Sequence, residues 1–147
     1  MDKDSVYIYA LKLLASRDYS TLKLRDKLTE RFADAPERTI EQAIHRLQSE
    51  RYLDDRRFAT HFVHIHKNRG RLRLATELKL RGIDLDMATE ILDRNEWPSL
   101  ATALKAKMET LKVAPPFEMR DAARLFRALQ RLGYDEEEVR AELEKYL

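Results

Sequence analysis

The sequence predicts an all-α protein built from three tandem three-helix repeats, and three observations predict it. Ala, Leu, Glu, Lys and Arg dominate the 147 residues, and all five favour helix. Only three glycines and four prolines interrupt them, too few for a β-rich or loop-rich chain. The third observation is a repeat of about fifty residues, a period typical of stacked helical arrays. LATELKLRGIDLDMATEIL, from Leu74, and LFRALQRLGYDEEEVRAEL, from Leu125, align at a single offset of 51. That offset maps Leu74 to Leu125, Leu78 to Leu129, Gly82 to Gly133, Asp84 to Asp135, Ala88 to Val139 and Leu92 to Leu143. In the first third, Leu24 and Leu28 map to Leu74 and Leu78 at offset 50, and Thr39, Ala43 and Leu47 to Asp84, Ala88 and Leu92 at offset 45. The difference is an insertion, ADAPE, in the first turn, where Pro36 belongs in a loop. The repeats are expected at 1–53, 54–96 and 97–147. They form one continuous domain, an elongated, curved, right-handed or solenoid-like body.

In the first repeat, the second helix is expected over 21–32 and the third over 39–50. Thr39 serves as N-cap, with Gln42 at capping-box spacing. The second repeat opens at RYLDDRRFATHF. Asp54 is the N-cap and Asp55 stands at N1, where a carboxylate meets the positive helix end. Leu53 and Phe58 have the spacing of a hydrophobic staple. Phe58, Phe62 and Ile65 then form an apolar stripe at i, i+4 and i+7. The two aspartates therefore read as the start of a helix and not as a metal or acid–base pair. The second helix of this repeat is expected over 71–81 and the third over 84–94. Gly82 and Gly133 stand where a helix ends in a left-handed residue, and Asp84 and Asp135 cap the third helices of their repeats. Trp97-Pro98 separates the second and third repeats, because the residue before proline resists helix. Pro115-Pro116 splits the first and second helices of the third repeat, which continues over 120–132 and 135–147. Trp97, Tyr52 and Tyr134 fall at helix junctions and read as packing residues between repeats.

The composition excludes several functions. With no cysteine there is no disulfide, thiolate metal site or cysteine nucleophile, which fits a reducing, cytoplasmic setting. The longest charge-free run, over 58–66, is far short of the roughly 20 residues a membrane span needs. The start, MDKDSVYIYALK, is acidic and carries no cleavage site, so no signal peptide is expected. No phosphate-binding glycine loop occurs. His61 and His64 share a helix face, but nothing completes a metal site around them. Neither a cofactor nor catalysis is expected.

The formal charge is only +2, but sign is sorted by helix. The second helices carry four basic groups each, against two, one and one acidic groups. The third helices carry one, one and two basic groups against two, four and six acidic ones. The basic groups also align. Lys23, Lys27 and Arg31 lie along one face of the first second helix. Arg120, Arg124, Arg127 and Arg131 form a stripe opposite Ala122, Leu125, Phe126 and Leu129, which pack inward. Arg69, Arg71, Arg73, Lys79 and Arg81 complete the set in the middle repeat. Lys23, Arg73 and Arg124 are equivalent positions, as are Arg69 and Arg120. Stacked repeats would gather these residues into a basic band suited to a phosphate backbone or an acidic protein surface. The plainer alternative is a solvated face. A helix-turn-helix reading of LKLRGIDLDMATEIL (78–92) fails, because the would-be recognition helix, Asp84 to Arg94, is acidic and would have to enter a phosphate-lined groove.

Four stretches, LLASRDYSTLKLRDKL (13–28), RYLDDRRFATHFV (51–63), RGRLRLATELKLRGID (69–84) and LGYDEEEV (132–139), resemble the bacterial RecX regulatory proteins over nearly the whole chain. The resemblance implies three tandem three-helix repeats and no enzymatic activity. It implies binding to RecA filaments on single-stranded DNA, with inhibition of filament extension, ATP hydrolysis and strand exchange. Direct DNA contact is then secondary, the protein is a monomer, and no membrane is involved. Two departures stand out. Arg51 replaces the glycine often found before YLDD, so that helix is expected to end without the left-handed glycine. Lys23 replaces a Glu at N3, weakening the cap and joining the basic stripe. Two rival functions are a stand-alone DNA-binding protein and a helical interaction scaffold whose basic stripe only solubilises.

Overall fold

The computed structural model describes residues 3–147. Among them it contains nine α-helices, one short 3-10 turn and no strand. The chain divides into two compact units, one of residues 1–65 with 77–91, the other of 66–76 with 92–147.

In the first unit, α1 (Lys3–Ser16), α2 (Thr21–Arg31) and α3 (Glu37–Ser49) enclose a core of Val6, Ala10, Leu24, Leu28, Ile40, Ala43, Ile44 and Leu47. The spacing explains the faces. Val6 and Ala10 lie one turn apart on α1, and Ile40, Ala43, Ile44 and Leu47 are spaced i, i+3, i+4, i+7 on α3. Each fully buried leucine contributes about 1.5–3 kcal/mol. Ser20 caps α2 by accepting from the Lys23 amide at 3.3 Å, so the cap survives with Lys at N3. α4 (Asp55–Ile65) comes next in the chain, and α6 (Leu85–Asp93) lies almost wholly in this unit. Asp54 caps α4 through the Arg57 amide, at 3.1 Å, and Leu53 and Phe58 are both buried. Asp84 caps α6 through the Met87 amide at 3.4 Å.

Three sequence expectations need correction here. Thr39 is not an N-cap. α3 starts at Glu37, because Pro36 holds the extended backbone of the cap position (φ −59°, ψ 144°) and needs no N–H there. Thr39 lies inside the first turn and is buried. Ile65 does not continue the apolar stripe: Phe58 and Phe62 stack at 5.7 Å, but Ile65 is exposed. Tyr52 is exposed as well, so it is no packing residue.

The helix before YLDD ends in a left-handed residue after all, and that residue is Arg51 (φ 64°). The Tyr52 amide donates to the Leu47 carbonyl at 2.9 Å. The same closure ends α5 (Arg71–Leu80), where Gly82 has φ 77° and Ile83 donates to Leu78 at 3.0 Å. At Arg51 a side chain holds the turn, since the Arg57 guanidinium donates to the Arg51 and Tyr52 carbonyls at 3.0 and 3.3 Å.

The second unit is formed by the 3-10 turn Lys67–Arg69, the first turns of α5, α7 (Leu100–Leu111), α8 (Met119–Arg131) and α9 (Glu136–Glu144). Its core comprises Ala103, Leu104, Phe117, Leu125, Leu129, Val139 and Leu143. Ser99 caps α7 and Asp135 caps α9, each accepting an amide hydrogen at 3.2 Å. Gly133 (φ 101°) closes α8. The Phe117 amide donates to the Tyr146 carbonyl at 2.9 Å, tying residues near Leu147 to the core. The repeat read from sequence appears in burial: Leu24, Leu74 and Leu125, and Leu28, Leu78 and Leu129, are all 0 % exposed.

Candidate functional site

In the first unit, two second helices bring their cations together. The C-terminal end of α5 lies so close to α2 that a Cβ on Gly82 would stand 2.6 Å from the Leu22 Cβ. A cleft of about 260 Å³ results, lined by Arg17, Tyr19, Lys23, Asp26, Lys27, Glu30 and Arg81. Lys23, Lys27 and Arg81 thus line one cleft, together with the acids Asp26 and Glu30. Arg81 is anchored, its guanidinium 4.4 Å from the Phe62 ring centroid and its Nη1 donating to the Glu77 carbonyl at 3.0 Å. Lys23, Lys27 and Lys79 are exposed, and no charge partner engages them within the described residues. Arg31 is exposed but leans over the rings of Tyr9 and Phe32, at 5.4 and 5.3 Å.

Two residues here lie outside the candidates that the charge pattern offers. Arg17 lines the cleft and lies 4.9 Å over the Tyr19 ring. The charge pattern of the helices does not reach it, since Arg17 falls in the link before α2. Asp55 does more than favour its own helix end. Its Oδ1 accepts from the Thr21 amide at 2.7 Å, so one carboxylate serves the N-termini of α2 and α4. No local signal marks a pairing 34 residues apart.

In the second unit, the first turn of α5 meets the C-terminal end of α8, where the Leu72 amide points at the Leu132 carbonyl at 3.5 Å. This juxtaposition puts the turn bearing Arg71 and Arg73 beside the helix end bearing Arg131. The cations are not equally available. Arg71 pairs with Asp93 at 2.9 Å and Arg124 approaches Asp121 at 3.5 Å. Arg131 donates to the Arg127 carbonyl at 3.4 Å. Arg69 is half-buried in the 3-10 turn, and Arg73 is exposed. Arg120 and Arg127 are exposed, with no charge partner among the described residues. Opposite this stripe Leu125 and Leu129 are fully buried, while Ala122 and Phe126 are half-buried.

The described residues define an all-α class of protein whose second helices carry exposed cations. Comparison with known proteins narrows that class. The family model for the second three-helix domain of RecX matches residues 54–92. The regulatory protein RecX of Halorhodospira halophila is 33% identical over 134 residues, covering 90% of this chain and 82% of that protein. That of Legionella pneumophila is 30% identical over 128 residues, covering 86% and 84%. A crystal structure of regulatory protein RecX superposes with a TM-score of 0.74 at 18% identity, over 97% of this chain and 71% of the other, and supports the fold. The chain belongs to the RecX family of regulatory proteins.

Proposed function

We propose that this protein binds RecA filaments on single-stranded DNA and restrains filament extension, ATP hydrolysis and strand exchange. It acts by occupancy and not by chemistry, as a cytoplasmic monomer. Membership of a family of regulatory proteins supports this reading, and one observation of geometry carries it. Lys23, Lys27 and Arg81, from two different repeats, converge with Arg17 on one cleft, giving a multi-residue cationic surface of the kind that engages an acidic or phosphate-bearing partner. The remaining candidates, Lys79, Arg31, Arg69, Arg71, Arg73, Arg120, Arg124, Arg127 and Arg131, extend the same chemistry along the second helices. Their combined role is to hold the helical body against the filament while its bulk blocks protomer addition or the movement that accompanies ATP hydrolysis.

The test is the single-stranded-DNA-dependent ATPase of preformed RecA filaments, titrated with this protein. Activity should fall at ratios well below one protein per RecA. Unchanged hydrolysis with the protein in excess would overturn the proposal.

A further inference from the structure

The second unit holds a larger cleft, of about 420 Å³, that the charge pattern of the second helices does not account for. Its apolar wall includes Trp97, Pro98, Ala103 and Tyr134, and its charged lining consists of Lys67, Arg71 and Lys107, with no carboxylate among the lining residues. The polar ends of both rings are already engaged. The Trp97 Nε1 donates to the Leu92 carbonyl at 3.0 Å, and the Tyr134 hydroxyl donates to the Pro98 carbonyl. Only ring surface is left to offer a ligand. Arg71 is paired with Asp93. Lys67 and Lys107 are half-buried without an ion-pair partner among the described residues, and the Asn68 amide beside them is likewise without a hydrogen-bond partner there.

A ligand that satisfies this lining needs a flat, largely apolar ring, at least one negative charge, and a group that can meet an amide. We infer that the cleft receives one nucleotide of single-stranded DNA, its base against Trp97 and Tyr134 and its phosphate on Lys67 and Lys107. The volume suits a ligand of that size. Single strands are held in this way, by aromatic faces combined with cations along the backbone. An acidic peptide would match the charge, but helices and closed turns line the cleft and offer no strand edge for its backbone. The inference deepens the proposed function and rests on it for the identity of the polymer, giving the single strand a place on this chain.

Trp97 is the only tryptophan, so its intrinsic fluorescence reports on this cleft alone. The experiment titrates the full chain, without RecA, with an oligothymidylate carrying an end label for anisotropy, and with an abasic oligonucleotide of the same length. Oligothymidylate should quench Trp97 and the abasic strand should not. The double variant Lys67→Ala, Lys107→Ala should lose the quench and flatten the dependence of log Kd on log salt by about 0.7 for each phosphate contact removed. Lys12→Ala, on exposed α1 surface, should change neither. Binding seen by anisotropy without quenching, or quenching equal for both strands, would overturn the inference while leaving the ATPase test of the proposed function untouched. Quenching by a Glu- and Phe-containing peptide but not by the oligonucleotide would overturn it too, and assign the cleft to an acidic protein segment.

Discussion

The two units each carry a basic cleft, and the two are built on different principles. In the first unit Asp26 and Glu30 line the cleft beside Lys23 and Lys27, each acid three residues after its lysine and therefore a neighbour on the helix surface. In the second unit no carboxylate lines the cleft, and aromatic rings take the place of the acids. Mixed signs select a partner with a matching pattern, whereas a surface of one sign accepts any suitable anion. Under the proposed function, partner recognition falls to the first cleft and polyanion contact to the second. Net charge per helix is a poor guide to available charge, since Arg71 and Arg124 are partly spent on Asp93 and Asp121.

The largest expected effect comes from removing one cleft and leaving the other. Gly70 has φ 84°, and a Cβ there would lie 2.5 Å from the Leu132 Cδ2 and 2.9 Å from its Cα. Gly70→Ala should destabilise the second unit by about 3 kcal/mol, combining backbone strain with a contact that cannot yield. Urea denaturation monitored by Trp97 fluorescence measures this directly, and an unshifted midpoint would refute the geometry. A smaller effect sharpens the division of labour. Lys23→Glu with Lys27→Glu should weaken binding to RecA filaments, and Lys67→Glu with Lys107→Glu should weaken binding to bare single strands. The second pair should change the salt dependence more, by about 0.7 log units per log unit of salt for each contact. Equal effects of both pairs in both assays would erase the distinction.

Much of the architecture was legible in the sequence because it depends on local rules. Leucine spacing marks the buried faces, and Asp54, Asp84 and Asp135 cap helices as their positions require. Thr39 misled because a proline three residues earlier can occupy the cap position without a side-chain acceptor. The first cleft was half legible: Lys23, Lys27 and Arg81 can be read from helix faces, but Arg17 sits in a link that helix counting passes over. The second cleft is legible only at Arg71, which stands among the cations of the middle repeat. Lys67 lies in a 3-10 turn and Lys107 on a first helix, so neither joins a repeating stripe, and Trp97 read as a packing residue. Contact across tens of residues brings them together, and periodicity does not encode such contact.

Stability offers a finer comparison between two helix ends of similar design. Arg51 and Gly82 both close a helix in the left-handed region, where a side chain costs about 1–2 kcal/mol. Arg51→Gly should therefore stabilise the first unit by up to about 1 kcal/mol, less than the strain because glycine also loses more backbone entropy. Chemical denaturation decides it, and a destabilised variant would show that Arg51 makes compensating contacts. Arg57→Ala should act in the opposite direction, since it removes both donors that hold the turn.

The smallest expected effect concerns Glu50, just past the last turn of α3, where the helix dipole disfavours a carboxylate. Two neighbours offset that. The Tyr7 hydroxyl donates to Glu50 Oε2 at 2.6 Å and Arg46 Nε donates to Oε1 at 2.8 Å. The hydrogen bond from Tyr7, and after it that from Arg46, holds the Glu50 carboxyl below its ordinary range. Arg46 also lies 3.7 Å over the Tyr7 ring, so the three groups tie α1 to α3. A folded-state pKa below the unfolded one means that the contribution is present above the ordinary carboxylate pKa and lost as pH falls through the depressed value. Tyr7→Phe keeps the ring beneath Arg46 and removes only the hydroxyl. It should therefore lower the melting temperature slightly at neutral pH, and the gap from the parent protein should close on acidification, as Glu50 protonates in both. A gap that persists in acid would locate the hydroxyl's role in packing and not in holding the carboxylate.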